Sequence, residues 1–245
     1  MSLFPHRIEL VKGTLSPRGA VRVKHGANAD YVLDSSGREW VRKKEEETGF
    51  NGLLAEAFGG LMAHELGVPC PDFAVHESAQ GSSWLSGLLR DVTHWDVAKL
   101  PFVGNFEELG PMLTLDAILI NEDRHRGNIL LQSVGDKEEE LRAWSIDLGN
   151  AIVGWPHDFL DAEERVADPR NHAKGLPISR MEDAAMEAAH FAQTIPIERI
   201  GEYAQEACGL VRESTVEEYT NVLYLRCSNA VQLVSRYIAR LKSGS

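Results

Sequence analysis

The sequence has only three cysteines, Cys70, Cys208 and Cys227. Their number is odd and their spacing fits no metal site, which suits reduced thiols in a cytosolic protein. No apolar run approaches the roughly 20 residues of a membrane span, so no membrane association is expected. The first twelve residues, MSLFPHRIELVK, have neither the apolar core nor the small-residue cleavage site of an export signal. Basic residues are also scarce: 25 Lys and Arg stand against 37 Asp and Glu, a net charge of −12. That balance argues against direct nucleic-acid binding, which rests on phosphate neutralisation.

What remains is an ordinary globular composition. Hydrophobic residues make up 43% and charged residues 25% of 245 residues. A chain of this length buries roughly 70–75% of its unfolded surface and needs no staples. Its charge is unevenly spread. Residues 1–44 hold nine basic and four acidic residues, a net +5, which leaves −17 for the other 201. A basic end on an acidic chain fits an anionic ligand, although chance clustering on a solvated surface explains charge alone equally well.

Strand-like segments come first and helical ones last, an α+β order. Segments 7–12, 20–24 and 30–34 read as short strands. Tyr31-Val32-Leu33, the turn Asp34–Gly37 and Glu39–Lys43 read as a hairpin. A helix is expected over 52–66, with Leu54, Ala57, Phe58, Leu61 and Met62 on one face and Gly67 and Pro69 ending it. A strand follows at 73–75. The Ser/Gly-rich stretch 77–83 is the expected boundary between lobes, giving an N-terminal lobe over 1–80 and a C-terminal lobe over 81–245. A second helix is expected at 105–121, then two short strands, 129–132 and 143–146. Residues 154–182 read as irregular, and a long last helix is expected at 215–242.

The informative segment joins that second helix to the strand after it. Asn121-Glu122-Asp123-Arg124-His125-Arg126-Gly127-Asn128 is a polar run held between two apolar elements. Such groups must find partners, so they form either a structural network or a site. The next strand ends in Ile146-Asp147-Leu148-Gly149-Asn150. If residues 133–142 connect the two strands, Asn128 lies opposite Asp147 and both project oxygens toward one point. A one-residue slip would send them to opposite faces. An amide oxygen and a carboxylate are the sparse oxygen set that Mg²⁺ favours, and Asp123 reaches the same space. Phosphoryl transfer calls for this set: one carboxylate to orient and deprotonate an acceptor, with an Asn and an Asp on the metal.

Asn121-x-Asp123-Arg124-His125-x-x-Asn128, followed by Ile146-Asp147-x-Gly149, resembles the HipA-like kinases and their distant relatives, the phosphatidylinositide lipid kinases. Gly37-x-x-Trp40-Val41-Arg42-Lys43 resembles that family's strand ending in the ATP-binding lysine. Leu54-Ala55-Glu56 with Gly67-Val68-Pro69 resembles its Glu-bearing helix and turn. The resemblance covers roughly residues 30–150. It implies a bilobal protein-kinase-like α+β fold, with a small β-rich N-lobe, a larger helical C-lobe, and ATP and Mg²⁺ in the cleft. Asp123 would be the catalytic base, His125 would brace its loop, and Asn128 and Asp147 would hold metal. Lys43 would contact the phosphates and pair with Glu56.

Two of those assignments have rivals. Alternation puts Lys43 on the face of Val41, with Arg42 and Lys44 as competitors. Glu56 lies opposite the apolar stripe of its helix, whereas Glu65 falls within it. The sequence also departs from the family pattern, since no convincing Gly-rich phosphate loop is present. Segments 16–20 and 24–28 are the candidates, and a plain turn explains either. The implied function is a Ser/Thr protein kinase with a protein acceptor and a possible regulatory partner protein. A small-molecule or lipid-headgroup kinase and a nucleotide-binding pseudokinase are the alternatives.

Overall fold

A computed structural model describes residues 7–17, 29–79, 81–134, 140–169, 172–211 and 215–243. The expected strand at 20–24 and the candidate phosphate loop at 24–28 lie outside them. Of the other loop candidate only Ser16 and Pro17 are described.

The first half of the chain builds a six-stranded sheet from β1 (Glu9–Val11), β2 (Ser16–Pro17), β3 (Ala29–Leu33), β4 (Glu39–Lys44), β5 (Phe73–Ser78) and β6 (Gly81–Gly87). The strand order is β1-β5-β6-β4-β3-β2, antiparallel apart from the β1–β5 pair. The β3–β4 hairpin closes through Asp34. Its carboxylate accepts from the backbone N–H of Ser36 at 2.8 Å and of Arg38 at 3.0 Å, and from Trp40 Nε1 at 2.9 Å. Gly37 supplies the left-handed backbone at φ 82° that this turn requires.

The Ser/Gly-rich stretch at 77–83 is the β5–β6 connection within this sheet, with Ser78 opposite Gly81. The chain leaves the sheet after Gly87, because β6 completes the pairing of both β4 and β5.

Helix α1 (Glu45–Leu66) packs beneath the sheet, breaks from helical geometry at Gly49 and ends at Gly67 with φ 72°. Short helices α2 (Phe106–Leu109) and α3 (Pro111–Leu119) divide the expected 105–121 helix at Gly110-Pro111. A second sheet joins β7 (Val92–His94), β8 (Ile129–Ser133) and β9 (Leu141–Ser145) in that order. Then come α4 (Pro156–Phe159), α5 (Ile178–Ala192), α6 (Ile197–Val211), α7 (Val216–Ser228) and α8 (Ala230–Ser243). The long last helix expected at 215–242 is therefore two, parted at Asn229, whose backbone is non-helical at φ −98° and ψ 10°. Among the described residues no helix is long and apolar enough to cross a membrane.

One apolar core runs from α1 through α3 to the C-terminal helices. A smaller cluster, Val11, Val32, Trp40, Ala74 and Leu85, fills another part of the first sheet. The cysteines are free; Cys208 and Cys227 are buried, and burial pushes the Cys227 thiol up to about 12.

Candidate active site

Alternation along β4 sorts its three cations. Arg42 and Lys44 both reach Asp30, at 2.7 and 3.4 Å. Lys43 points the other way, toward α1. Its Nζ lies 2.5 Å from Glu56 Oε1 and 2.7 Å from Asp147 Oδ1. The rivals are thus separated by strand geometry.

Glu56, not Glu65, meets Lys43. Glu65 Oε2 accepts instead from the Tyr203 hydroxyl, and Arg199 Nη1 lies 3.9 Å from that same oxygen. The helical wheel misleads here because α1 has no solvent face in this region: every residue from Gly52 to Ala63 is buried. Segment 148–154 closes over the side away from the apolar stripe. A Cβ on Gly59 would stand 2.4 Å from the Leu148 side chain, and one on Gly154 would stand 2.1 Å from the Asn51 carbonyl oxygen. Those two glycines admit the chain that carries Asp147.

The electrostatics follow from the shared ammonium. Burial disfavours a charged Lys43, but Glu56 and Asp147 outweigh it and hold its pKa above the ordinary lysine value. Burial, only partly offset by Lys43, pushes Glu56 up. Burial also opposes ionisation of Asp147, yet Lys43 draws its carboxyl below the usual range. The nearby backbone joins in: Leu148 N–H donates to Glu56 Oε2 at 3.3 Å and Gly149 N–H to Asp147 Oδ1 at 3.4 Å.

The loop 121–128 is built on a buried ion pair. Helix α3 stops at Ile120, which adopts φ 56°. Behind it Arg124 and Asp116 are both fully buried and doubly bonded, Nη2 to Oδ1 at 2.8 Å and Nε to Oδ2 at 3.0 Å. The third guanidinium nitrogen, Nη1, donates to the carbonyls of Asn128 at 3.1 Å and Ile146 at 2.9 Å. One side chain thus pins the loop to the end of β9. Asn121 donates to Asp116 Oδ1 at 2.7 Å and accepts from Asp123 N–H at 3.1 Å, which sets the turn entering Asp123.

Arg124 is therefore the buried brace of this loop. His125 caps the turn 126–128 by accepting from Gly127 N–H at 3.0 Å, but its side chain is 51% exposed and its Nε2 lies 4.0 Å from Asp123 Oδ2. Asn128 is buried, and its amide nitrogen donates to the Asp123 carbonyl at 2.7 Å.

The strand register differs from the expected one by a residue. Ile129 pairs with Ser145 and Leu131 with Ala143, so Asn128 stands opposite Ile146, whose N–H donates to its carbonyl at 3.0 Å. The connection is shorter than supposed: Val134 N–H bonds Glu140 O, enclosing only 135–139. Strand alternation does not decide where Asp147 points, however. Its left-handed backbone, φ 59°, lies beyond the strand and redirects the side chain toward Lys43.

The donor set fits a hard cation such as Mg²⁺. Asp147 offers a carboxylate, and the Asn128 amide turns its nitrogen into the loop, which makes its oxygen the group available to a metal. Among the described residues, no three His, Cys, Asp or Glu side chains cluster as a self-sufficient metal site. A set this sparse needs ligands from a bound substrate.

Two features were not legible beforehand. Asn150 donates to Asp123 Oδ2 at 2.8 Å, and no sequence signal marks it. Arg226 on α7 is fully buried and, among the described residues, has no carboxylate partner; it donates to the carbonyls of Ala117 and Ile118, both at 2.6 Å, of Glu163 and Arg165, and of Ala162. It ties the end of α3 to the segment after Asp147, and burial pushes it down to about 10. An acid at 116 inside an apolar helix was the one available hint of the buried network. A groove of about 550 Å³, lined by residues including Leu66, Pro111, Arg180 and Phe191, lies elsewhere, along α5.

Against this geometry, no family model matches the chain and no curated protein matches its sequence. Among solved structures it is similar to the proinflammatory kinase CtkA of Helicobacter pylori, with a TM-score of 0.58, 13% identity, and coverage of 98% of this chain and 100% of that one. The chain has a kinase-like fold. Fainter likenesses reach HipA of Shewanella oneidensis, from a complex with HipB and operator DNA (TM-score 0.46, 12% identity, 91% and 68% covered), and a Rio2 kinase of Chaetomium thermophilum, from an ADP/Mg²⁺-phosphoaspartate complex (0.39, 14%, 94% and 72%). The six-stranded sheet and α1 supply Lys43 and Glu56, the segment after β9 supplies Asp147, and the cluster joins these two parts of the chain.

Proposed function

We propose that this protein is an ATP-dependent phosphotransferase, a HipA-like kinase acting on a Ser or Thr hydroxyl of a protein. One observation carries the reading: a single lysine on the six-stranded sheet joins the buried acid of α1 to the acid that follows β9. Lysine held by Glu56 presents a fixed positive charge to the triphosphate, at no cost in ordering it when the nucleotide binds. Asp123, at the mouth of the braced loop, accepts the proton of the acceptor hydroxyl as its oxygen attacks the γ-phosphorus. The bond from that phosphorus to the bridging oxygen breaks, and ADP leaves. Asn128 and Asp147 would hold Mg²⁺, which supplies charge neutralisation on the phosphates when bound. The remaining work is positioning, which the Arg124 brace performs.

The test is labelled ATP with MgCl₂ and the protein alone or with a general acceptor such as myelin basic protein. Asp123→Ala is expected to abolish transfer while its melting temperature and the thermal shift given by ATP/Mg²⁺ stay close to wild type. Turnover near the wild-type rate in that variant would overturn the role of Asp123. Transfer to small acceptors but not to proteins would replace the protein-kinase reading. A nucleotide-induced thermal shift without any transfer would mark a pseudokinase.

A further inference from the structure

We propose that Asn150 is a positioning residue for Asp123, an inference that rests on the phosphotransfer reading above. The Asn150 amide nitrogen stands 2.8 Å from Asp123 Oδ2, the same oxygen that faces His125 Nε2 at 4.0 Å. A carboxylate that takes up a proton from an acceptor needs one oxygen aimed at it and its own torsion fixed. Donation from Asn150 engages Oδ2, fixes the plane of the carboxylate and leaves Oδ1 as the oxygen that receives the proton. Asn121 and Asn128 hold only the backbone of Asp123, at its N–H and its carbonyl, so neither performs this task.

Asn150 comes from a turn that α1 and β4 hold. Leu148 N–H donates to Glu56, Leu148 accepts from Ala151 N–H at 2.9 Å, and Asp147 is bonded to Lys43. The amide that aims Asp123 therefore sits three residues from the carboxylate that Lys43 holds. Correct seating of α1 and β4 places both groups together. This links assembly of the Lys43–Glu56 pair to the orientation of the proton acceptor through one short turn.

In the proposed step the acceptor O–H bond breaks, its proton passes to Asp123 Oδ1, and its oxygen bonds the γ-phosphorus of the nucleoside triphosphate, with the diphosphate leaving. Asn150 exchanges no proton.

The experiment compares Asn150→Ala and Asn150→Asp with wild type, using ATP, MgCl₂ and myelin basic protein. Asn150→Ala is expected to lower kcat roughly 10- to 100-fold while KM for ATP stays within about two-fold. Asn150→Asp keeps the shape but sets a carboxylate against Asp123, so its kcat falls further. A merely structural role would lower the melting temperature and leave kcat per folded molecule unchanged. In a ¹⁵N spectrum the Asn150 side-chain amide signal, identified by its loss in Asn150→Ala, is expected to move in Asp123→Ala. Wild-type kcat in both variants, or an unmoved amide signal, overturns the proposal. A wild-type chain that transfers no phosphate overturns the phosphotransfer reading and this role with it. The two failures are told apart because only the second appears in the unmutated protein.

Discussion

Two charge clusters flank the candidate site, and they differ in their access to water. Asp116 and Arg124 are sealed, with side chains 0% exposed, and every bond they make is to the protein. In the cluster of Lys43, Glu56 and Asp147, exposure rises from 7% at Glu56 through 19% at Lys43 to 38% at Asp147. The sealed pair has no partner to exchange and therefore acts as a fixed mount for loop 121–128. The graded cluster has a buried anchor and an open end, so its outer contact can be traded for a ligand. Burial thus separates the charge pair that builds the site from the one that works in it.

The sharpest way to break that contrast is to remove one charge from each cluster. Arg124→Met leaves Asp116 as a buried carboxylate without its counter-charge, and it removes the guanidinium donor from the Ile146 carbonyl and one of two donors from the Asn128 carbonyl. It is expected to destabilise the protein by about 3–5 kcal/mol in chemical denaturation. Lys43→Met is expected to cost only about 1–3 kcal/mol, because Asp147 reaches water and Glu56, already pushed toward protonation, can go neutral. Its effect on phosphotransfer should be the reverse, a loss of roughly 100-fold or more in kcat/KM. Equal stability losses in the two variants would erase the distinction.

The smallest expected effect lies far from both clusters and serves as their control. Partial burial pushes Asp34 up, but donors from Ser36, Trp40 and Arg38 outweigh it and bring its pKa down to about 2 from an ordinary 3.8. Because the folded value is depressed, the stabilisation is fully present above about pH 4 and is lost as pH falls toward 2. Melting temperature measured over that window should fall less steeply in Asp34→Asn than in wild type. Activity at neutral pH should be untouched, since this turn contacts neither cluster.

Much of the architecture was legible in local sequence. The Asp34–Gly37 turn, the stop at Gly67, and the two strands around residues 130 and 144 are set by short-range rules of turn chemistry and alternation. So was the sorting of the three cations of β4, since period two puts Arg42 and Lys44 together against Asp30 and turns Lys43 to the other face, toward Glu56. The Glu56 assignment was harder to read, because amphipathic periodicity assumes one wet face and α1 is packed on all sides around that residue. The hairpin register slipped for a similar reason: alternation holds only while the strand continues, and Asp147 lies past its end in a left-handed turn.

The sequence by itself determined which residue types were available, an Asp-x-x-x-x-Asn loop, an Asp before a glycine and a lysine ending a strand, together with their order along the chain. Tertiary structure alone decided that Lys43, Glu56 and Asp147, separated by 13 and 91 positions, share one ammonium. It also decided that Arg124 points inward to Asp116, that Arg226 crosses from the last helices to the end of α3, and that Asn150 turns back onto Asp123. The physical reason is common to the first three. A buried charge must be satisfied by whatever polar group the packing brings within hydrogen-bond distance, and packing is a property of the whole chain.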